Sequence, residues 1–187
     1  EIRKAKDELN KNNQQFMKFI PYIKNLEFKG IISYLKTQTD DIFSLIDIES
    51  SSVYNESSTY SPKNVIMYND DVEFCSKNFE NSWIRFDFKD HRVIVNNYTI
   101  KSYSLDENNH HPKSWVIEGS NDCDDWVPID IRDNASAING SSIVYTFCVS
   151  NQTIQQFRYV QMRLTGTNWH KKHYLNLSNI EFYGYLI

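Results

Sequence analysis

The chain has 187 residues, with 24 Asp and Glu against 20 Lys and Arg, and its formal charge of -4 is spread along its length. That length suits one ordinary domain with an appendage, and the weak, dispersed charge excludes the basic field that a nucleic-acid partner needs. No apolar run approaches the roughly 20 residues of a membrane-spanning helix, and no secretory signal stands at the front.

The chain opens on Glu1 and is expected to be a piece of something longer or a processed product. Ile2, Leu9, Phe16, Phe19 and Ile20 recur at helical spacing among polar residues, which predicts an amphipathic helix interrupted at Pro21. A second periodic run, Ile23, Leu26, Phe28, Ile31, Ile32 and Leu35, predicts another helical stretch. The apolar stripe of these helices needs a surface to cover, either the body that follows or an upstream domain. After Thr37-Gln-Thr-Asp-Asp41 the pattern changes to short alternating segments. Glu49 to Pro62 is polar and serine-rich and reads as a long loop. Ser82 to Phe88 puts Ile84, Phe86 and Phe88 on one face and Trp83, Arg85 and Asp87 on the other, the period of a strand with one face in the core. Further strands are predicted over 92–103, 114–120, 125–131, 143–149, 156–164 and 179–186. In the last, Ile180 and Phe182 point one way while Glu181, Tyr183 and Tyr185 point the other. Pro112 to Asp130 writes a β-hairpin turning at Asn121-Asp-Cys-Asp124, and its Trp115 and Trp126 are expected to share one hydrophobic layer. With twelve Tyr, eleven Phe and four Trp to fill a pleated core, the predicted fold is an all-β antiparallel sandwich behind a short N-terminal helical extension.

Three segments, in order, resemble the discoidin or F5/8 type C family. They are Asn81-Ser-Trp-Ile-Arg-Phe-Asp-Phe88 with Val93 to Tyr103, the Trp115 to Trp126 hairpin, and Phe157-Arg-Tyr-Val-Gln-Met-Arg-Leu-Thr-Gly-Thr-Asn-Trp169 leading into Tyr174-Leu-Asn-Leu-Ser-Asn-Ile-Glu-Phe-Tyr-Gly184. The resemblance spans about residues 44–187 and implies a jelly-roll β-sandwich that binds a partner and does not catalyse. The stretches Phe28 to Leu35, Ile46 to Ser52 and Ser61 to Val65 are similar to intracellular protist proteins in which such a domain follows a BTB and helical adaptor region. That likeness implies a division into residues 1–40, the tail of the helical region, and 41–187, the sandwich.

A discoidin sandwich presents its recognition loops at one end, where the serine-rich loop, the Tyr68 to Asn78 loop and the Asn168 to Tyr174 loop should converge. The richest is Asn168-Trp169-His170-Lys171-Lys172-His173-Tyr174. Trp169 offers a stacking face, His170 and His173 offer switchable donors, and Lys171 and Lys172 offer positive charge, a set suited to a sugar ring, an acidic peptide or a phosphate group. Asn69, Asp70 and Asp71 lie where carbohydrate-binding relatives of this fold hold calcium, and their oxygens could serve Ca²⁺ or an ordinary Asx turn. His110 and His111 fall in a connector near Asp106 and Glu107, without the ligand spacing of a zinc site.

No glycine-rich phosphate loop, paired carboxylates or nucleophile elbow appears, so no residue is nominated for catalysis. Cys75, Cys123 and Cys148 are an odd count, and the end-to-end disulfide of secreted discoidin domains has no cysteine at either end here, which points to a reducing compartment. Six glycosylation sequons, at Asn55, Asn97, Asn134, Asn139, Asn151 and Asn176, point the other way. The expectation is a cytoplasmic, non-catalytic scaffold element that joins protein partners in a larger assembly, cytoskeletal included. The alternative is a carbohydrate-binding module gripping a glycan through the end loops.

Overall fold

The computed structural model describes residues 17–69, 71–103, 110–150 and 154–187. Alternation builds the strands. In β4 (Trp83–Asp87), Ile84 and Phe86 are buried while Trp83, Arg85 and Asp87 stand half-buried on the opposite face. The other predicted strands form as β5 (Val93–Lys101), β6 (Trp115–Ser120), β7 (Val127–Arg132), β8 (Val144–Cys148), β9 (Tyr159–Leu164) and β11 (Asn179–Leu186). Four short strands join them: β1 (Lys18–Ile20), β2 (Asp47–Ser50), β3 (Phe74–Cys75) and β10 (Asn176–Leu177), the last two paired with each other.

Two antiparallel sheets, ordered β1-β11-β5-β8 and β2-β4-β9-β6-β7, face one another as a jelly-roll sandwich. Aromatic rings cross the gap. Phe86 of β4 meets Phe182 of β11 edge-on at 5.1 Å, and Trp115 of β6 meets Phe147 of β8 at 5.3 Å. Buried polar groups in this layer are satisfied together: the Trp115 indole donates to the Tyr98 hydroxyl at 3.1 Å, which donates to Asp130 at 2.7 Å. Asp130 also accepts from Arg132 Nε at 2.6 Å and Ser150 Oγ at 2.8 Å. Burial, reinforced by Asp130, pushes the Tyr98 phenol up. Trp126 does not join Trp115 in this layer. The hairpin register pairs Trp115 with Arg132 and Gly119 with Val127, so the two tryptophans sit near opposite ends of the hairpin. Trp126 is half-buried on the turn, its indole donating to the Cys123 carbonyl at 3.0 Å.

Among the described residues, the expected N-terminal helices hold only in part. Residues 1–16, with Ile2, Leu9 and Phe16, lie outside the described residues. Phe19 and Ile20 are extended, because Lys18–Ile20 pairs with Gly184–Leu186, and tertiary pairing overrides a weak helical periodicity. The second run keeps one helix, α1 (Ile31–Lys36), which buries Ile31, Ile32 and Leu35. Glu181, fully buried, seats it on the sheet. Its carboxylate accepts the Ile32 and Ser33 N–H groups, both at 2.9 Å, and the Tyr68 hydroxyl at 2.7 Å. Burial pushes the Glu181 carboxyl up, and these donors pull it back part of the way. Gly30 permits the approach, since a Cβ there would lie 2.2 Å from the Phe182 carbonyl oxygen. The face of β11 that carries Glu181 and Tyr183 is therefore buried too, under this strap.

Among the sequons, Asn176 is 3% exposed and leaves no room for a glycan, whereas Asn55, Asn134 and Asn139 are exposed and Asn151 lies outside the described residues. No helix among the described residues is long and apolar enough to cross a membrane.

Candidate functional site

Two of the three expected loops meet fully at one end of the sandwich. Just past the serine-rich loop, Asn64 donates to the carbonyls of Ser58, Thr59 and Glu73 at 2.7, 2.9 and 3.0 Å, pinning the loop to the chain ahead of β3. The Tyr54 N–H donates to the Cys75 carbonyl at 2.8 Å, and the Ser52 hydroxyl accepts the Lys77 N–H at 3.0 Å. The loop from 165 to 175 closes from the other side, where Asn78 accepts the His173 N–H at 2.7 Å. Of the Tyr68 to Asn78 loop, the half from Glu73 to Asn78 reaches this cluster. Tyr68 turns away to pack on Phe28 and to hydrogen-bond Glu181.

Asn168 does not offer itself to a ligand. It is 1% exposed, its amide donates to the carbonyls of His110 and Tyr174, and its oxygen accepts the N–H groups of His170 and Lys172. All four contacts shape the loop. They push Lys171, in left-handed backbone at φ 59°, and Lys172 out into solvent. Trp169 is half-buried with Lys113 Nζ 5.0 Å over its ring, so one stacking face is already occupied by a cation. His170 is exposed and meets the His110 ring at 4.5 Å. His173 faces a polar notch with Glu80, Asn81, Thr165 and Gly166, its Nε2 3.9 Å from Glu80. Tyr174 lies between His110 at 5.7 Å and Tyr54 at 6.0 Å.

Tyr54, not singled out by the sequence, joins the two halves. It is 49% exposed and its ring lies 5.4 Å from Tyr60. The contacts give one continuous row of rings, Tyr60, Tyr54, Tyr174, His110 and His170, across the loop end. Beside it opens a cleft of about 650 Å³ lined by Tyr54, Asn55, Glu56, Ser57, Ser58 and Lys77 among others. Behind the row, burial pushes the Tyr103 phenol up, with Tyr60 and Glu73 adding to it. Two tyrosines, Tyr54 and Tyr60, amid serines were the signal for this site in the sequence, since a solvated loop has no need of aromatic rings.

Asn69 forms the ordinary turn, its Oδ1 accepting the Asp71 N–H at 3.0 Å, while Asp70 lies outside the described residues. Among the described residues no three His, Cys, Asp or Glu side chains gather to hold a metal ion. Asn69 and Asp71 by themselves do not fit a calcium site, which needs six or more oxygens.

With this geometry in hand, the profile of the Sad1 / UNC-like C-terminal family matches residues 55–186. The chain belongs to that family. This Sad1/UNC-like domain shares its discoidin-type fold with solved structures of low identity. One is CpGH89CBM32-5 from Clostridium perfringens in complex with GalNAc-beta-1,3-galactose, at TM-score 0.59 and 13% identity over 75% of this chain and 96% of that one. Another is chitosan-binding module 1 of a chitosanase/glucanase from Paenibacillus sp. IK-5, at TM-score 0.56 and 15% identity over 75% and 96%. The f-lectin (fucolectin) from Morone saxatilis (striped bass) serum aligns at TM-score 0.60 and 18% identity over 75% of this chain and 47% of its own. No curated protein matches the sequence.

Proposed function

We propose that this Sad1/UNC-like domain is a non-catalytic binding module whose ligand is a carbohydrate seated at the loop end. The observation that carries the reading is the row Tyr60, Tyr54, Tyr174, His110 and His170 opening on the polar cleft. Sugar rings present C–H faces, which the negative faces of aromatic rings attract, and hydroxyls, which Asn55, Glu56, Ser57 and Ser58 can hydrogen-bond. The named ligands of the Clostridium and Paenibacillus structures, a disaccharide and chitosan, support the same class. The test is binding to an immobilised oligosaccharide array with Tyr54→Ala as control. Retention on at least one glycan, weakened tenfold or more (about 1.4 kcal/mol) by the substitution, is expected. An array on which the intact chain binds nothing sinks the reading.

A protein-binding role in the cytoplasm is the second reading. It is favoured by Ile23 and Leu26, which stand about half exposed ahead of α1, and by three cysteines that form no disulfide, as suits a reducing compartment. In that case Ile23→Asp with Leu26→Asp would release the partner, and Tyr54→Ala would not.

A further inference from the structure

We infer that the sugar held at the loop end is negatively charged, an inference that rests on the carbohydrate reading above and narrows it. Charge at this end is carried by lysines, and like most lysines of the body they have no carboxylate partner among the described residues, whereas four arginines do. On the body of the sandwich, Arg85, Arg132, Arg158 and Arg163 each meet a carboxylate, Glu49, Asp130, Asp87 and Glu118 in turn. At the loop end, Lys77, Lys113, Lys171 and Lys172 meet none among the described residues.

Three of these ammonium groups belong to the side of the ring row formed by His110 and His170. Lys113 is held in place over Trp169, and Lys171 and Lys172 project from the tip that Asn168 shapes. Glu56 lines the cleft with Lys77, Glu80 faces His173, and Asp133 accepts the Ser114 hydroxyl. Among the described residues none of these carboxylates pairs with Lys113, Lys171 or Lys172, which stand as a positive patch beside the stacking surface of a chain of net charge -4. Fixed like charges without counter-charges raise the local concentration of an anionic ligand and strengthen its hold, an effect that salt weakens.

The cations are lysines, not arginines. An ammonium is a point charge that reads sign and not the planar geometry of a carboxylate. The shared chemistry of the ligand is therefore an anionic sugar, whether its charge is a carboxylate or a sulfate. The patch is also too small, and too closely bordered by aromatic rings, to act as a general polyanion track. A row of rings continuous with it fits an oligosaccharide, with its charged unit at the lysine tip and neutral units on Tyr174 and Tyr54.

The experiment uses three galactose-type oligomers of equal length, one neutral, one of galacturonic acid and one sulfated, titrated against the chain at 50 and 300 mM salt, with poly-glutamate as a charged non-sugar. The variants are Lys171→Gln/Lys172→Gln and Lys113→Gln, exposed or half-exposed positions whose folding is checked by thermal melting. Binding of one or both anionic oligomers at least tenfold tighter than the neutral one is expected, falling at high salt and falling toward the neutral value in the double variant. The two anionic arms then say which group supplies the charge. Equal binding of all three oligomers, unmoved by the lysine variants, overturns the inference and leaves the carbohydrate reading standing. Poly-glutamate binding tighter than any sugar overturns it in favour of an acidic peptide. Failure of every oligomer overturns the carbohydrate reading and this inference with it.

Discussion

Asp87 closes β4 with its carboxylate clasped by the Arg158 guanidinium at 2.7 and 2.8 Å and by the Lys89 N–H at 2.7 Å. Partial burial works against the charged form, but the guanidinium, the backbone donor and the nearby Lys89 charge outweigh it and hold the Asp87 carboxyl below its ordinary value. A carboxylate whose folded pKa is depressed stabilises the fold above its unfolded pKa, and that stability is lost as pH falls through the folded value. Both side chains remain partly exposed, at 22% and 35%, so solvent screens the pair and its contribution is modest. Asp87→Asn is expected to cost about 1 kcal/mol at neutral pH. Compared with the intact chain in urea, the difference should begin to shrink as pH drops below about 4, where Asp87 of the unfolded chain takes up its proton, and vanish at the lower pH where the native carboxylate is itself neutralised. A difference constant from neutral to strongly acidic pH would mean that packing, and not charge, holds this corner.

β11 shows what a strand can demand of one residue. Its register with β5 shifts between Tyr183 and Gly184, so Asn96 is left over as a bulge. At that point Gly184 adopts φ 144°, and a Cβ would fall 1.9 Å from the Ile94 carbonyl oxygen. Gly184→Ala is therefore expected to lower unfolding free energy by about 3 kcal/mol or more, read from the urea midpoint. A loss under about 0.5 kcal/mol, the scale of a neutral surface change, would show that the bulge relaxes freely. The same strand explains what the sequence could and could not reveal. Ile180 and Phe182 announced the core face by alternation, and Glu181 and Tyr183 announced an opposite face. That this second face is also buried depends on residues about 150 positions away, the Ile32 and Ser33 N–H groups and Gly30, and no local period encodes that. β1 was illegible for the same reason: its three residues are extended only because Gly184–Leu186 offers them an edge. The fold otherwise followed from alternation and turn residues, which are local.

At the scale of the whole molecule, the proposed binding end is built from loops, but it is tied into the sandwich. Tyr54 is fixed through the Cys75 carbonyl, the Leu175 N–H reaches the Ser76 hydroxyl at 2.9 Å, and Cys75 and Phe74 pair with Asn176 and Leu177. The sequence nominated the whole Asn168 to Tyr174 tip for ligand contact. Asn168 looked like a donor and is a buried brace, while Tyr54 and His110 became part of the site only when three distant loops were brought together. Because the site is assembled by folding, an unfolded chain cannot offer it, and ligand binding must raise stability. At a sugar concentration 100 times Kd the gain is about 2.7 kcal/mol, which for a chain of this size raises Tm by roughly 5 to 10 °C. Tyr54→Ala should leave the ligand-free Tm within about 2 °C, since its ring is half exposed, and should remove most of the ligand-induced rise. Glu181, buried beneath α1, makes the contrast: Glu181→Gln should lower the ligand-free Tm yet keep the full ligand-induced rise, because its carboxylate holds the strap and not the loop end. If Glu181→Gln abolished the rise while Tyr54→Ala kept it, the ligand would have to lie against the N-terminal strap, and the row of rings would be only packing.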